Sequence, residues 1–304
     1  MTRTDGTEDA ASRPARLAVG VVGAGRVGTA LAACLRLAGH RPVAASGVSD
    51  ASRRRAEALL PGVPLVEPAE VLARADLVLL TVPDDALPGL VEGLAATGAV
   101  RPGQLVVHTS GRYGTDVLEP VVRAGGLPLA LHPVMTFTGS PVDVERLAGC
   151  SFGVTAPEEL RLAGEALVVE MGGEPEWISE ADRPLYHAAL AHGANHLVTL
   201  VAQSLEMLRG AGVGAPDRML GPLLGAALDN ALRSGDAALT GPVARGDAGT
   251  VRTHVEQLRR HAPQTLASYL AMARTTADRA LAGGTLKAES AEALLDVLAD
   301  GSPR

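Results

Sequence analysis

The chain has 304 residues, of which 47% are hydrophobic and only 2% aromatic, and its formal net charge is −7 at pH 7. This length favours two domains, and the composition is sufficient to bury a substantial core of aliphatic side chains. The acidic balance and the scarcity of aromatic rings argue against nucleic acid as a partner, and they give no support to binding at an anionic membrane.

Residues 1–15 are polar and contain no apolar segment typical of a signal peptide, so we interpret them as a tail. No run reaches the roughly 18 apolar residues that a membrane span needs. Cys34 and Cys150 form no CxxC motif, which argues against a disulfide or zinc framework. The sequence therefore predicts a cytoplasmic protein.

The first predicted strand ends at a glycine turn with the spacing Gly23-x-Gly25-x-x-Gly28 and leads into a helix. The first glycine allows the tight turn, the second lets a diphosphate approach the backbone, and the third lets the helix pack closely on the strand. The diphosphate is expected at the helix N-terminus, beside Arg26 and Val27. The spacing alone is a weak signal among 35 glycines, but the flanking strand and helix favour a dinucleotide site over a purely structural turn.

A second predicted strand, near Val43, is followed by residues of the type that selects between nicotinamide cofactors. Asp50 lies 22 residues after Gly28, and an acid there would accept from the ribose 2′-OH of NAD. Ser49 and Arg53 belong instead to a cationic, hydroxyl-rich cluster that suits the 2′-phosphate of NADP. The cluster also contains Ser52, Arg54 and Arg55. We favour NADP over NAD, and the alternative that the arginines only solvate the next helix stays open.

Three later predicted strands each end in small or polar residues, where the carboxyl ends of parallel strands face a ligand crevice. These ends are Pro83-Asp84-Asp85, His108-Thr109-Ser110-Gly111 and His132-Pro133. From Asp182 onwards the strand-like runs stop and long helical patterns follow. The predicted fold class is α/β, with a Rossmann-type doubly wound parallel sheet over residues 16–181. An all-α domain for substrate binding and dimerisation follows over residues 182–304, with the active site expected in the cleft between the two halves.

The first long helix of the helical half carries His187 and Asn195 among small residues. They are eight positions apart, about 12 Å along the helix axis, and share a broad face. His187 is a candidate to protonate an alkoxide, and Asn195 to hold a carbonyl oxygen or the nicotinamide side of the cofactor. A hydrogen-bonded core histidine is the alternative for His187. His192 and His196 have zinc-like spacing but lack a third ligand, so no metal is predicted.

A Gly/Pro-framed loop later in the helical half carries Arg245 and Asp247. A guanidinium held by a rigid turn suits recognition of a substrate carboxylate or a cofactor phosphate, and a surface salt bridge is the alternative. Asp247 is a second candidate substrate residue, or a cap for the helix that follows. His254 on that helix is a weaker candidate.

Taken together, these motifs resemble those of a bacterial family that joins a Rossmann-like domain to a conserved helical domain of largely unassigned function. The family is similar in plan to ketopantoate reductase, the β-hydroxyacid dehydrogenases and pyrroline-5-carboxylate reductase. The resemblance implies a helical half like that of 6-phosphogluconate dehydrogenase, which often pairs as a homodimer. It also implies a set of residues lining the nicotinamide side of the cleft: Val82, Pro83, Ser110 and His132. The matching motifs run in order from Gly23 through Asp76–Asp84, His108–Gly111, His132–Phe137, Tyr186-His187 and Asn195 to Thr240–His254.

The chain departs from these relatives in one respect, because its only lysine is Lys287, near the C-terminus. Classical ketopantoate reductases and β-hydroxyacid dehydrogenases place a catalytic lysine on the first long interdomain helix, and here His187 is the proposed substitute. The sequence thus predicts an NAD(P)H-dependent oxidoreductase that reduces a small 2-keto acid, with 2-dehydropantoate as the candidate substrate. A nucleotide-responsive NADP-binding protein without turnover and an imine reductase of the pyrroline carboxylate type are the alternatives.

Overall fold

The computed structural model describes residues 16–300. Within them seven strands form one sheet in the order β2-β1-β3-β4-β5-β6-β7. The strands are β1 (Ala18–Val22), β2 (Arg41–Ser46), β3 (Leu77–Leu80), β4 (Leu105–His108), β5 (Leu127–Pro133), β6 (Ser151–Thr155) and β7 (Glu174–Trp177).

The helices of the sheet-bearing part connect these strands. They are α1 (Arg26–Leu37), α2 (Asp50–Leu59), α3 (Pro68–Arg74), α4 (Leu87–Ala96), α5 (Glu119–Arg123), α6 (Val142–Arg146) and α7 (Arg161–Glu170). The helices that follow the sheet are α8 (Arg183–Gly210), α9 (Pro216–Ser234), α10 (Gly241–Arg245), α11 (Ala248–His261), α12 (Pro263–Ala282) and α13 (Ala288–Asp300).

The strand order reverses beside β1, since β2 pairs with one edge of β1 and β3 with the other. Strands β1 to β5 are parallel, whereas β6 pairs antiparallel with β5 and β7 runs parallel to β6. The predicted Rossmann-type sheet followed by a helical region is therefore confirmed, with the addition that its last two strands run in the opposite direction. In such sheets ligands bind outside the carboxyl ends of the strands at the reversal point.

Both faces of the sheet are covered by aliphatic side chains, as expected for the uninterrupted apolar runs of β1 and β3. On one face Val21 packs in a cluster with Leu31 and Leu35 of α1. On the other, Val78 packs in a cluster with residues of α3 and α4, including Val91. Burying each such side chain contributes about 1.5–3 kcal/mol, so these contacts fix the strand ends that form the site.

The described residues divide into two compact units between His192 and Gly193, within α8. The predicted domain limit between residues 181 and 182 falls where the sheet gives way to helices, and it stays a prediction. In the second unit, α10 to α13 surround an aliphatic core that includes Val251, Leu270 and Leu294.

The second half of α8 and nearly all of α9 expose apolar side chains, and the only residue of α9 that is buried is Pro216. A helix of a water-exposed protein normally buries its apolar stripe, so this surface is unusual. The exposed side chains are Leu197, Val198, Leu200, Met219, Leu223, Leu228 and Leu232. None of the helices in residues 16–300 has the length and apolar character needed to cross a membrane.

Candidate functional site

The glycine turn after β1 is shaped for an anionic ligand. Gly23 adopts a φ of 98°, which favours glycine, and its backbone N–H donates to Ser46 O at 3.1 Å. A methyl group on Gly28 would lie 2.7 Å from Gly23 O and 2.8 Å from Val21 Cγ1, so only glycine fits between helix and strand. A methyl group on Gly25 would meet only Gly23 O, at 3.8 Å, so the backbone there is open to a ligand.

The backbone N–H groups at the N-terminus of α1 donate to no capping side chain in the described part of the chain. Gly25 is the N-cap and offers no side-chain cap, and the first turn contains no acidic residue. The first backbone N–H groups of a helix need an acceptor, and the helix dipole favours a negative one. The predicted residues Arg26 and Val27 occupy this first turn, with Arg26 exposed. The arrangement fits a dinucleotide diphosphate.

A cavity of about 390 Å³ extends from this turn past the ends of β2 and β3. That volume is in the range of small-molecule sites, about 300–1,000 Å³. Of the predicted cofactor residues, the structure brings five together around it: Gly23, Gly25, Ser49, Val82 and Pro83. Ser46 and Thr81 also line it, and sequence reasoning did not single them out.

The residues that could select the cofactor stand at the start of α2. Ser49 Oγ caps the helix by accepting from Ser52 N at 3.1 Å, and the two hydroxyl oxygens are 2.9 Å apart. Arg53 Nη1 lies 3.6 Å from Asp50 Oδ1, with both side chains exposed. The acidic residue that would favour NAD and the arginine that would favour NADP are thus in contact with each other. The preference for NADP stays a prediction.

A second group of residues lies where the end of β5 meets the first turn of α8. His132 Nδ1 is 2.8 Å from the Tyr186 hydroxyl oxygen, and the His132 and His187 ring centroids are 6.3 Å apart with nearly perpendicular planes. Both imidazoles approach Gly111, where an added methyl group would lie 2.9 Å from His187 Cδ2 and 3.0 Å from His132 Nε2. We call His132, Tyr186 and His187 the histidine–tyrosine cluster.

Two histidines near this point are uncharged at neutral pH. Burial, followed by the positive charge of Arg183, lowers the pKa of His132 from 6.5 to about 4. Burial also lowers the pKa of His108 to about 4, even though its Nε2 lies 2.7 Å from Gly114 O. Ser110 N donates to His108 Nδ1 at 3.2 Å, so both nitrogens of that ring hold the loop after β4.

The predicted residue Ser110 is buried, and its hydroxyl oxygen accepts from the backbone N–H groups of Arg112 at 3.1 Å and Tyr113 at 3.3 Å. This hydroxyl therefore shapes the same loop. Its predicted place beside a nicotinamide ring stays a prediction, as does that of His132.

Sequence reasoning missed Arg183, the first residue of α8, whose side chain is completely buried. It also missed the contact between Tyr186 and His132, although the resemblance included both residues. No local pattern distinguishes Arg183 from the other arginines of the chain. Only the packing of distant segments around it reveals that it differs.

The remaining candidates belong to the second unit. Asn195 is exposed on α8, and Arg245 is exposed in the last turn of α10. Asp247 caps α11, since its side chain accepts from Thr250 N at 3.0 Å and Thr250 Oγ1 at 2.7 Å. His254 Nδ1 lies 2.9 Å from the Tyr269 hydroxyl. The cap alternative for Asp247 is thus realised, while the substrate roles of Asn195, Arg245 and Asp247 stay predictions.

Two family models each match one part of the chain. Residues 1–133 match the family model of a Rossmann-like domain. Residues 150–276 match that of a domain of unknown function, DUF2520. The predicted combination of a Rossmann-like domain with a conserved helical domain is confirmed.

Two curated relatives are glycerol-3-phosphate dehydrogenases [NAD(P)+] from strains of Bradyrhizobium. The protein from strain ORS 278 is 31% identical over 190 residues, which cover 58% of this chain and 54% of the relative. The protein from strain BTAi1 is 33% identical over 187 residues, with the same coverage. The chain therefore spans about half the length of the curated relatives that it matches.

Solved structures share the fold at low sequence identity. A Bacteroides fragilis protein described as a candidate NADP oxidoreductase matches with a TM-score of 0.73 and 23% identity, covering 86% of this chain and 98% of its own. An imine reductase from Pseudomonas sp. matches with a TM-score of 0.62 and 19% identity, covering 93% and 100%. Pyrroline carboxylate reductase from Plasmodium falciparum, solved with NADP bound, matches at 0.57 and 13%, covering 94% and 98%.

Proposed function

We propose that this chain, which joins a Rossmann-like domain to a DUF2520 domain, is an NAD(P)H-dependent reductase of a small molecule. The observation that carries the proposal is the glycine turn, where the uncapped start of α1 opens onto the cavity at the ends of β1, β2 and β3. The names of the relatives support it, since they include NAD(P)-dependent dehydrogenases and imine reductases.

The reduction requires a hydride source, a site for the cofactor and, for a ketone, a proton donor. A reduced nicotinamide cofactor, when bound, would supply the hydride for reduction. The backbone N–H groups at the start of α1 would hold its diphosphate, and Val82 and Pro83 line the same cavity. For a ketone, the chain must also deliver a proton to the oxygen as the carbonyl becomes an alcohol.

Our first candidate substrate class is a small 2-keto acid, with 2-dehydropantoate as the compound to test. In this proposal His187 gives the proton, and Asn195 holds the carbonyl oxygen. Arg245 binds the carboxylate through its fork of N–H donors, with Asp247 beside it. The position of His187 against the other members of the histidine–tyrosine cluster supports its role.

A cyclic imine carrying a carboxylate is the second candidate, and one observation favours it. His132 is uncharged at neutral pH and no lysine stands on α8, so the cluster contains no ammonium group to act as an acid. A protonated imine already carries its proton and needs hydride alone. The structural neighbours include an imine reductase and a pyrroline carboxylate reductase, which agrees with this alternative.

NADP is the proposed cofactor, with NAD as the alternative. The hydroxyl pair of Ser49 and Ser52 borders the cavity beyond β2, and Arg53 stands one turn further on. Arg53 already contacts Asp50, so a 2′-phosphate would have to compete with that carboxylate. Comparing the dissociation constants of NADPH and NADH decides between the two cofactors.

We also propose that the protein is a homodimer, in the cytoplasm as the sequence predicts. The exposed apolar side chains of α9 and of the second half of α8 support the dimer, because a second copy would cover them. Leu223→Asp, on α9, should convert the dimer to a monomer in sedimentation velocity. Leu162→Asp is the control, since Leu162 is also an exposed leucine but stands on α7. A wild-type monomer contradicts the proposal.

The experiment that tests the function uses the purified full-length chain and follows nicotinamide absorbance with NADPH. One series contains 2-dehydropantoate and other small 2-keto acids, and the other contains a pyrroline carboxylate and related cyclic imines. Steady oxidation with the first series supports the keto-acid proposal, and oxidation with the second alone supports the imine alternative. Binding of NADPH without turnover of either series contradicts the reductase and favours a nucleotide-responsive binding protein.

A further inference from the structure

Arg183 is a fully buried cation whose recorded hydrogen bonds all end on uncharged oxygens. Its Nε donates to Thr155 Oγ1 at 2.8 Å, and Nη2 donates to Gly153 O at 2.9 Å and Ala130 O at 3.1 Å. A longer bond, 3.4 Å, joins Nη1 to Ser110 O. Desolvation lowers the pKa of Arg183, but an arginine remains charged at neutral pH.

The carboxylate that stabilises this charge from a distance is Glu180, and it is engaged elsewhere. Glu180 Oε2 accepts from Thr115 N at 2.7 Å. Burying a cation costs several kcal/mol even in a relaxed protein, and an apolar side chain of similar volume would avoid that cost. An arginine at this position therefore points to a role besides filling space.

The four bonds tie the first residue of α8 to three neighbouring segments: the loop after β4, strand β5 and strand β6. Tyr186 and His187 follow three and four positions later, so they lie on the same side of the helix as Arg183. Tyr186 packs against Gly153, the residue whose carbonyl oxygen Arg183 binds, in space that any side chain would fill. The guanidinium lies 5.7 Å from the Tyr186 ring centroid.

We propose that Arg183 is a positioning residue of the reaction site, an inference that rests on the proposed function. It fixes the start of α8 against strands β5 and β6, and thereby holds Tyr186 and His187 near His132. It does not line the cavity at the glycine turn, so we expect it to act on the reacting end of the site and not on the diphosphate end of the cofactor.

The charges around His132 agree with this role. Arg183, His187 and His108 disfavour its protonation, while Asp84 favours it, and Tyr186 occupies Nδ1. An uncharged ring can accept a hydrogen bond from the Tyr186 hydroxyl at Nδ1, whereas a protonated ring cannot. Without the guanidinium, the pKa of His132 should rise and the contact with Tyr186 should loosen.

The test compares Arg183→Met, Arg183→Lys and the control Arg123→Met, which removes an exposed arginine paired only with Glu119. Arg183→Met should lower kcat about 10- to 100-fold, the effect expected from misplacing reacting groups by about 1 Å. The dissociation constant for NADPH should stay within about twofold, since distant sites act independently. Arg183→Lys should recover part of the loss because it keeps the charge, and Arg123→Met should match the wild type.

Histidine NMR provides a readout that does not depend on turnover. The His132 signal, assigned with His132→Asn, should titrate with a pKa of about 4 in the wild type and with a higher one in Arg183→Met. If the wild type turns over no substrate, the proposed function fails. The titration then tests by itself whether Arg183 positions the groups around His132. An unchanged kcat together with an unchanged His132 titration overturns the inference.

If Arg183→Met does not fold, two less disruptive substitutions at Thr155 provide the test. Thr155→Val removes the oxygen that accepts from Arg183 Nε, whereas Thr155→Ser keeps it. Thr155→Val should lower kcat and raise the pKa of His132, and Thr155→Ser should stay close to the wild type. Equal behaviour of the two variants contradicts the role of Arg183.

Discussion

His132 Nδ1 and the Tyr186 hydroxyl oxygen lie 2.8 Å apart, although the two residues are separated by 54 positions in the chain. Because burial and the charge of Arg183 lower the pKa of His132 to about 4, the ring is uncharged at neutral pH. A neutral ring can accept a hydrogen bond from the Tyr186 hydroxyl at Nδ1, and its own proton is then on Nε2, the nitrogen that approaches Gly111. This contact joins the sheet to the helix that carries the proposed acid.

The two buried histidines predict how stability depends on pH. His108 and His132 have folded-state pKa values of about 4, below the ordinary 6.5, so the unfolded chain binds more protons between these limits. The free energy of unfolding should therefore fall as pH decreases from about 6.5 to 4, by up to about 1.4 kcal/mol per pH unit for each histidine. Urea unfolding at a series of pH values measures this slope.

A pair of variants shows how much of this pH dependence comes from His132. His132→Asn should reduce it, while His261→Asn, which changes an exposed histidine, should leave it unchanged. The pKa of Asp143 lies below its ordinary 3.8, so the loss of that carboxylate's contribution begins only at more acidic pH. Equal slopes in the wild type and His132→Asn would show that His132 is not buried in its neutral form.

Replacing the proposed acid should slow reduction of a keto acid. His187→Ala should lower kcat by about 10²- to 10⁴-fold, the usual contribution of general acid catalysis, with little change in the affinity for NADPH. The exposed His192 one turn along α8 offers a control, since His192→Ala should retain most of the activity. A His187→Ala enzyme with wild-type turnover removes this residue from the mechanism. If only imines are reduced, the loss should be much smaller.

Asp247 has two proposed roles that a pair of substitutions separates. Asp247→Ala removes the N-cap of α11 and should therefore lower the free energy of unfolding. Asp247→Ser keeps a capping oxygen, so it should retain most of the stability. If Asp247 only caps, both variants keep the wild-type KM for the substrate. A raised KM in Asp247→Ser, measured with the protein fully folded, would support the substrate role.

The features predicted correctly from the sequence are those with a local signature. The turn from Gly23 to Gly28 is encoded by spacing between a strand and a helix, and the sheet by continuous apolar runs. The direction of β6 has no such signature. The 17 residues between Pro133 and Ser151 are long enough for either a crossover or a direct return, so the sequence left the antiparallel pairing open.

The parts of the site that sequence reasoning missed depend on contacts between distant segments. Arg183 differs from the other arginines only because Ser110, Ala130 and Gly153 place carbonyl oxygens around it. The contact of Tyr186 with His132 has the same origin. Ser49 was predicted only as a cofactor ligand, and its hydrogen bond that caps α2 is a local contact that the structure adds.

Two alanine substitutions in the glycine turn should differ in their effect on stability. Gly28→Ala would place a methyl group 2.7 Å from Gly23 O, and such overpacking typically costs about 1–3 kcal/mol of stability. Gly25→Ala meets no such obstacle and should unfold at the wild-type temperature. Thermal unfolding of the two variants measures this difference. A Gly28→Ala protein as stable as the wild type would show that helix and strand are less closely packed than described.

Calorimetric titration of NADPH into the wild type and Gly25→Ala tests the central claim, that a dinucleotide binds at this turn. Gly89→Ala serves as the control, because a methyl group there, on α4, meets no atom within 4 Å. The wild type and the control should bind NADPH alike. In Gly25→Ala the added methyl group should keep the diphosphate from approaching the backbone N–H groups closely. Binding should then be at least about tenfold weaker, since losing one hydrogen bond to a charged group costs about 1.5–3 kcal/mol. No affinity for NADPH or NADH in the wild type, or equal affinity in Gly25→Ala, would contradict the claim.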